Sequence, residues 1–62
     1  MNRYYYVIIP TINGEINDEP YLYSSFTRKN SNDIRDIVFN GEYEETTIYE
    51  VDIKTHNIRE VY

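Results

Sequence analysis

The stretch "RYYYVIIP" at residues 3–10 places three tyrosines directly before three aliphatic residues, with no polar side chain between Tyr4 and Ile9. Successive side chains of a β-strand point to opposite faces of the sheet. A strand that is apolar on both faces is typical of the interior of a sheet whose two faces are both covered. We therefore predict a central strand here, and the fold depends on which of its faces the rest of the chain covers.

The length of 62 residues predicts one compact domain, residues 1–62, whose single core yields only about 3–5 kcal/mol of net stability. The chain has no cysteine, so neither disulfides nor a thiolate metal site can add to that stability. No apolar run approaches the roughly 20 residues of a membrane-spanning helix, and no basic-then-apolar leader begins the chain. These features predict a soluble cytoplasmic protein that does not bind membranes.

Three further strands are indicated downstream of the first. Asn13-Gly14 is the strongest short signal for a hairpin, because both residues tolerate the positive φ of a tight turn. Beyond that turn, alternation of apolar and polar residues predicts the remaining strands. They lie at residues 21–26, 48–53 and 58–62.

A single helix is predicted between the second and third strands. In "NSNDIRDIVFNG" at residues 30–41, Asn30 or Ser31 can cap the first turn, and Asn40-Gly41 can end the helix in the left-handed conformation. An apolar stripe with i, i+3 and i+4 spacing runs along it: Ile34, Ile37 and Val38. A helix this short is marginal alone, so packing of the stripe on the sheet must hold it.

These elements predict an α+β fold of the type ββαββ, in which a four-stranded antiparallel sheet of order 2-1-3-4 carries one short helix on one face. We expect the side chains of one parity to form the core under the helix: Tyr5, Val7, Ile9, Leu22, Phe26, Ile34, Ile37, Val38, Tyr49, Val51 and Ile53. One join fits poorly, because pairing Ile53 with Ile58 leaves Val61 on the opposite face. A bulge or a frayed end would resolve it.

The opposite face of this predicted sheet is paved by tyrosines that no helix covers: Tyr4, Tyr6, Tyr21 and Tyr23. Tyrosine offers a large rigid contact area and a hydroxyl, and an uncovered apolar patch on a small protein usually marks a contact site. We expect these four residues to bind a partner. Two alternatives stay open: the rings extend a thin core, or they are buried in a homodimer. The exposed edges of the second and fourth strands offer a further route to self-association.

The charge is unevenly distributed: eleven acidic residues against six basic ones give a net charge of −5. One segment holds six carboxylates and no Lys or Arg: Asp36, Glu42, Glu44, Glu45, Glu50 and Asp52. Binding to phosphates needs a basic patch, so direct nucleic-acid binding is not expected, whereas a partner protein with a basic surface is. We predict that Glu42, Glu44 and Glu45 contact it. The alternative is a solvated acidic face that keeps the protein soluble.

No pattern of residues predicts catalysis. The single histidine, His56, lies in a predicted turn without a nucleophile beside it, and Gly14 and Gly41 make no phosphate-binding loop. The adjacent carboxylates Asp18 and Glu19 have no predicted cleft that would separate their pKa values. We therefore expect a protein that is not an enzyme and holds neither a cofactor nor a metal.

In size, acidity, β-rich architecture and residue usage, the chain resembles the small host-takeover and anti-defence proteins of bacteriophages, among them anti-CRISPR proteins, nuclease inhibitors and RNA polymerase inhibitors. The usage is rich in Ile, Tyr and Asn and lacks Ala, as A/T-rich codons favour. The resemblance implies an inhibitor that occupies a basic surface of a nucleic-acid-handling or defence protein in the host cytoplasm. The alternative is a homo-oligomeric structural or accessory protein that buries its tyrosine face.

Overall fold

The computed structural model describes residues 3–40, 42–43 and 45–62. Within these ranges the chain forms a small α+β fold, in which one helix packs on one face of an open antiparallel sheet of five strands. In chain order the elements are β1 (Tyr4–Ile12), β2 (Glu15–Ile16), β3 (Tyr21–Ser25), α1 (Ser31–Phe39), β4 (Thr46–Asp52) and β5 (Ile58–Val61).

β1 lies in the middle of the sheet, as its sequence predicts. β4 pairs with one side of it, and β3 and then β2 pair with the other side. β5 pairs with the free side of β4. The predicted sheet of four strands in the order 2-1-3-4 differs from this one, because the turn at Asn13 and Gly14, with φ of 53° and 80°, makes a short strand of its own before the chain reaches β3.

The helix covers the face of the sheet opposite to the predicted one. The core consists of buried side chains from β1, α1, β4 and β5: Tyr4, Tyr6, Ile8, Ile34, Phe39, Ile48 and Val61. Tyr5, Val7 and Ile9, which were predicted to face the helix, lie on the uncovered side. The same inversion moves Leu22, Tyr49 and Val51 out of the predicted core. Leu22 and Tyr49 lie opposite Val7, and Val51 lies opposite Tyr5, so all three share the uncovered side.

The inversion depends on Glu50, whose side chain was expected to point to water. Glu50 is only 1% exposed and lies on the helix side of β4. Its carboxylate accepts a 2.8 Å hydrogen bond from the Tyr6 hydroxyl and two from Arg59, at 2.9 and 3.2 Å. The Nε of Arg28 lies 3.3 Å from the same carboxylate. A buried carboxylate is tolerated when it is paired and hydrogen-bonded, so these donors allow β4 to turn its acidic side inward.

The helix begins and ends where the sequence predicts. The side chain of Asn30 caps it by accepting a 2.8 Å hydrogen bond from the Asp33 N–H. Asn40 ends it with a φ of 51°, and its N–H donates to the Asp36 carbonyl at 3.1 Å. Gly41, the second residue of the predicted stop, lies outside the described residues.

The apolar stripe of α1 differs from the predicted one in one position. Ile34 is fully buried and Val38 packs against the core, but Ile37 is 51% exposed, so its assignment to the core was wrong. Phe39 takes its place, because its ring packs edge-on against the rings of Tyr21 and Tyr43, each at a centroid distance of 4.7 Å.

β5 needs no bulge or frayed end. Ile58 pairs with Val51 rather than with Ile53, and Val61 pairs with Ile48. Val61 therefore lies on the face opposite to Val51, as the sequence indicates, but that face is the covered one. The misfit predicted for the last strand came from the inverted choice of face.

Candidate functional site

The side of the sheet opposite α1, called here the open face, is an apolar surface that no helix covers among the described residues. The strand register places on it residues of one parity from β1, β3, β4 and β5. Its apolar side chains are Tyr5, Val7, Ile9, Leu22, Tyr49, Val51 and Ile58, with Phe26 and Ile53 continuing β3 and β4 at one end.

Several of these side chains are well exposed. Leu22 is 76% exposed, Ile58 67%, Tyr5 43% and Tyr49 37%. Val7, between Leu22 and Tyr49 in the register, is half-buried by its neighbours. Scattered exposed apolar residues are normal, whereas a contiguous exposed apolar group is a common feature of interaction surfaces.

The charges of the open face lie at its periphery. The guanidinium of Arg3 sits 5.4 Å from the ring centroid of Phe26 and 5.7 Å from that of Tyr5, both in the range of cation–π contacts. Glu60 lies at the other side of the face, next to Tyr49 in the register. An uncharged centre inside a polar rim is the usual composition of a protein-binding surface.

The four tyrosines predicted to bind a partner do not lie on the open face. Tyr4 and Tyr6 are buried under the helix. Tyr23 is half-buried and stacks on Tyr6 at a centroid distance of 6.2 Å, and Tyr21 packs on Phe39. These rings belong to the core side of the sheet, which corrects the prediction that they pave its uncovered side.

The hydroxyl of Tyr6 has a structural role. It donates to Glu50 and accepts a 2.8 Å hydrogen bond from the Lys29 N–H, so both of its functions are used. Burial, with a further contribution from the hydrogen bond to Glu50, raises the pKa of Tyr6 to about 12. The hydroxyl therefore stays protonated at neutral pH and remains a donor to the buried carboxylate.

The three glutamates predicted to contact a partner differ from one another. Glu42 is exposed. Glu44 lies outside the described residues. Glu45 accepts hydrogen bonds from the Thr11 hydroxyl at 2.5 Å, the Gly14 N–H at 3.0 Å and the Asn13 N–H at 3.2 Å, and the bond from Thr11 contributes most to lowering its pKa. Glu45 therefore holds the β1–β2 turn in place.

The predicted acidic segment does not form a single surface, because Glu50 is buried between two arginines and Asp52 accepts bonds from the N–H groups of the β4–β5 turn. Acidic residues gather instead at the end of the sheet that holds the β1–β2 turn, called here the acidic end: Glu15, Asp18, Glu19, Glu42 and Glu45. The other end carries the basic residues of the strands and their loops: Arg3, Arg28, Lys29, Lys54 and Arg59. The charge of the molecule is therefore polarised along the strands.

Asp18 is fixed at the acidic end by its hydrogen bonds. It accepts a 2.5 Å bond from the hydroxyl of Tyr43 and one from the N–H of Glu19. The bond from Tyr43 lowers the pKa of Asp18, and the same bond raises the pKa of Tyr43. Asp18 is therefore ionised at neutral pH and contributes a full negative charge to this end of the molecule.

Within residues 3–40, 42–43 and 45–62, no three His, Asp or Glu side chains are grouped as metal ligands. The helix in these ranges is too short to cross a membrane. No protein-family model, curated protein or solved structure matches the chain. The geometry of the open face and of the acidic end is therefore the basis for proposing a function.

The sequence did not predict four exposed residues of the open face. Three of them were assigned to the core and the fourth was given no role: Tyr5, Leu22, Tyr49 and Ile58. One feature of the sequence did indicate that the assigned faces were inverted. Val61 did not fit the covered face as predicted, and inverting the faces would have placed it in the core without a bulge.

Proposed function

We propose that the protein is a small acidic protein-binding module that uses the open face of its sheet as the apolar anchor for a partner. The supporting observation is the exposure of Leu22, Ile58 and Tyr5 on one face of the sheet whose charged residues, Arg3 and Glu60, lie at its periphery. The strands on both sides of β1 hold these side chains in place, so binding them orders little additional structure and costs little entropy.

The size of the open face supports a second contact region. Four strands spaced at about 4.8 Å, each contributing roughly 20 Å of length, present roughly 400 Å². A standard interface buries about 800 Å² on each partner. A stable complex therefore needs contacts beyond the open face, and the neighbouring acidic end supplies polar and charged groups for them.

The chemistry of the acidic end favours a basic partner surface. The net charge of −5 attracts such a surface at long range, and Glu42 and Glu19 are exposed at the acidic end. The resemblance to phage inhibitors, which rests on size, composition and β-rich architecture, suggests the partner class: a host nucleic-acid-handling or defence protein. Occupying its phosphate-binding surface blocks that protein without any catalysis by this chain.

A second candidate is a homo-oligomer that stacks two open faces. One observation favours it: Arg3 and Glu60 give the open face one cation and one anion, so a symmetric pair of copies can form reciprocal ion pairs. A monomer in sedimentation of the purified protein at tens of micromolar excludes this second candidate, and a dimer supports it only if Leu22→Gln abolishes the dimer. A monomer leaves the open face free for a different protein.

The test of the proposal compares Leu22→Gln with Ile37→Gln. Leucine and isoleucine side chains have the same size, and both of these are exposed. Leu22 lies on the open face, whereas Ile37 lies on the helix, on the other side of the molecule. Neither change alters the charge. Immobilised wild-type protein and Ile37→Gln are expected to capture the same partner from a bacterial lysate, and Leu22→Gln is expected to lose it.

A competing polyanion tests the chemistry of the partner. Heparin is expected to release the captured protein if the acidic module occupies a basic, phosphate-binding surface. Equal capture by both Gln variants contradicts the open face as anchor. Release that depends on neither heparin nor salt contradicts the basic partner surface.

A further inference from the structure

The outer edge of β3 is open to another strand. β3 pairs with β1 on one side, and no strand in the described part of the chain pairs with the other side. Its sequence, "YLYSS", contains no charged residue and no proline. Natural sheets usually protect such edges with lysines, prolines or bulges, because unpaired backbone groups recruit further strands.

The ladder on β1 identifies the backbone groups at this edge. The Arg3 carbonyl accepts a 3.0 Å bond from the Ile53 N–H, so the odd-numbered residues of β1 direct their backbone groups toward β4. Leu22 and Ser24 lie opposite odd-numbered residues of β1. In an antiparallel ladder, hydrogen-bonded residue pairs alternate with pairs that are not hydrogen-bonded. Leu22 and Ser24 belong to pairs that are not hydrogen-bonded to β1, so their N–H and C=O groups point outward from the edge of the sheet, within its plane.

The residues that flank β3 are electrostatically self-complementary. Asp18 and Glu19 precede the strand, and Arg28 and Lys29 follow it. If two copies pair antiparallel about Tyr23, the acidic end of each copy, which includes Asp18 and Glu19, comes beside the end of the other copy that carries the basic residues. Opposite charges then lie near each other at both ends of the paired strands.

We propose that a second copy of this chain adds to the outer edge of β3, forming a homodimer with an antiparallel β3–β3 pair centred on Tyr23. Leu22 of each copy exchanges both backbone hydrogen bonds with Ser24 of the other. The twofold axis is perpendicular to the sheet, so both helices lie on one side and both open faces on the other. The two open faces join into one continuous surface of roughly 800 Å², which matches a standard protein-binding interface.

The dimer does not depend on the proposed function, because it uses backbone groups at the sheet edge and not the side chains of the open face. Ser24→Pro tests it, since proline removes an N–H that points outward and leaves the β1–β3 ladder bonds in place. Ile58→Pro is the matched control: its N–H also points outward, but from the opposite edge of the sheet. Circular dichroism verifies the fold of each variant.

Sedimentation equilibrium from micromolar to submillimolar concentration measures the dimer dissociation constant. Ser24→Pro is expected to raise it by about tenfold or more, because two outward hydrogen bonds are lost across the twofold axis. Ile58→Pro is expected to leave it unchanged. A monomeric wild type overturns the proposal, as does equal weakening by the two prolines. So does a dimer that Leu22→Gln abolishes and Ser24→Pro leaves intact, which indicates stacked open faces.

A charge exchange tests the antiparallel arrangement of the two copies. Glu19 lies at the acidic end of one copy and Lys29 at the adjacent basic end of the other, so Glu19→Lys and Lys29→Glu each bring like charges together and are each expected to weaken the dimer, most strongly at low salt. The double variant Glu19→Lys/Lys29→Glu restores opposite charges and is expected to recover the wild-type dissociation constant. Absence of recovery overturns the antiparallel arrangement of the two copies.

Discussion

The hydroxyl of Tyr6 donates a 2.8 Å hydrogen bond to the carboxylate of Glu50 beneath the helix, where each of the two side chains is 1% exposed or less. This pair joins β1 to β4 in the core and fixes which side of each strand faces α1. Arg28 and Arg59 complete the pairing from the edge of the core. The open face exists in its observed form because this polar cluster occupies the covered one.

Removal of the Tyr6 hydroxyl is expected to destabilise the fold. Tyr6→Phe leaves the Lys29 N–H without its acceptor and takes one donor from the buried Glu50. We expect a loss of about 1–3 kcal/mol in the free energy of unfolding, measured by urea denaturation. Tyr4→Phe is the matched control, since no hydrogen bond of the Tyr4 hydroxyl is found among the described residues, and its effect is expected to stay within about 0.5 kcal/mol. Equal stability of the two variants would contradict the role of the hydroxyl.

Alkaline pH is expected to weaken the fold through the same hydroxyl. Burial raises the pKa of Tyr6 from 10.0 to about 12, so the folded state favours the protonated form. The resulting stabilisation is fully present below about pH 10 and is lost as the pH rises toward the folded pKa of about 12. Urea denaturation across this range measures it. Tyr6→Phe lacks this contribution, so its stability is expected to decline less steeply with pH than that of the wild type.

The positions of the strands and the helix could be predicted because they depend on local signals. Asn30 and Asn40 mark the ends of α1, and the apolar run of β1 marks the centre of the sheet. The choice of face depends instead on Glu50 and its partners, which are distant in the sequence and come together only in the fold. The expectation that Glu50 points to water went together with assigning the wrong face of the predicted strands to the helix.

The sequence predicts that one apolar face of the sheet lacks a covering helix, but it did not identify the residues on that face. A central strand that is apolar on both faces, in a chain with a single helix, must leave one apolar face without a helix to cover it. The residues of that face followed from the choice of face, so Tyr4 and Tyr6 were predicted where Tyr5 and Leu22 lie. The role of Glu45 in the β1–β2 turn was also unpredictable, because its donors are remote in sequence.

The helix is expected to depend on Ile34 and not on Ile37. Ile34 is fully buried, whereas Ile37 is 51% exposed. Ile34→Ala is expected to cost about 2–5 kcal/mol, which is enough to unfold a domain with so little reserve. Ile37→Ala is expected to change the free energy of unfolding by less than about 0.5 kcal/mol. Thermal denaturation followed by circular dichroism measures both, and a reversed ranking would contradict the observed packing of α1.

The β1–β2 turn is expected to loosen on acidification. The hydrogen bonds that Glu45 accepts hold its pKa below the usual 4.5, so their stabilisation is present above that pH and is lost as the pH falls through the lowered pKa. Glu45→Gln replaces one acceptor oxygen with a donor. We expect faster amide exchange at Asn13 and Gly14 at neutral pH and a smaller loss of thermal stability in acid than in the wild type. Glu42→Gln is the control and is expected to exchange at the wild-type rate at both amides.

The association and dissociation rates of the captured partner separate the roles of the two surfaces. Long-range attraction accelerates encounter, so Glu42→Lys at the acidic end is expected to slow association severalfold at low salt and to flatten its salt dependence. Asp36→Lys is the matched control. It changes the net charge equally, but it lies on the outer side of α1, away from the open face.

Leu22→Gln is expected to act on dissociation instead. An apolar contact forms after encounter, so losing it makes the complex separate faster while association stays near the wild-type rate. A loss of about 2 kcal/mol in binding corresponds to a hot-spot position. Surface plasmon resonance at two ionic strengths measures all three variants. If Asp36→Lys slows association as much as Glu42→Lys, net charge and not the acidic end steers the partner. If Leu22→Gln changes neither rate, the partner does not bind the open face.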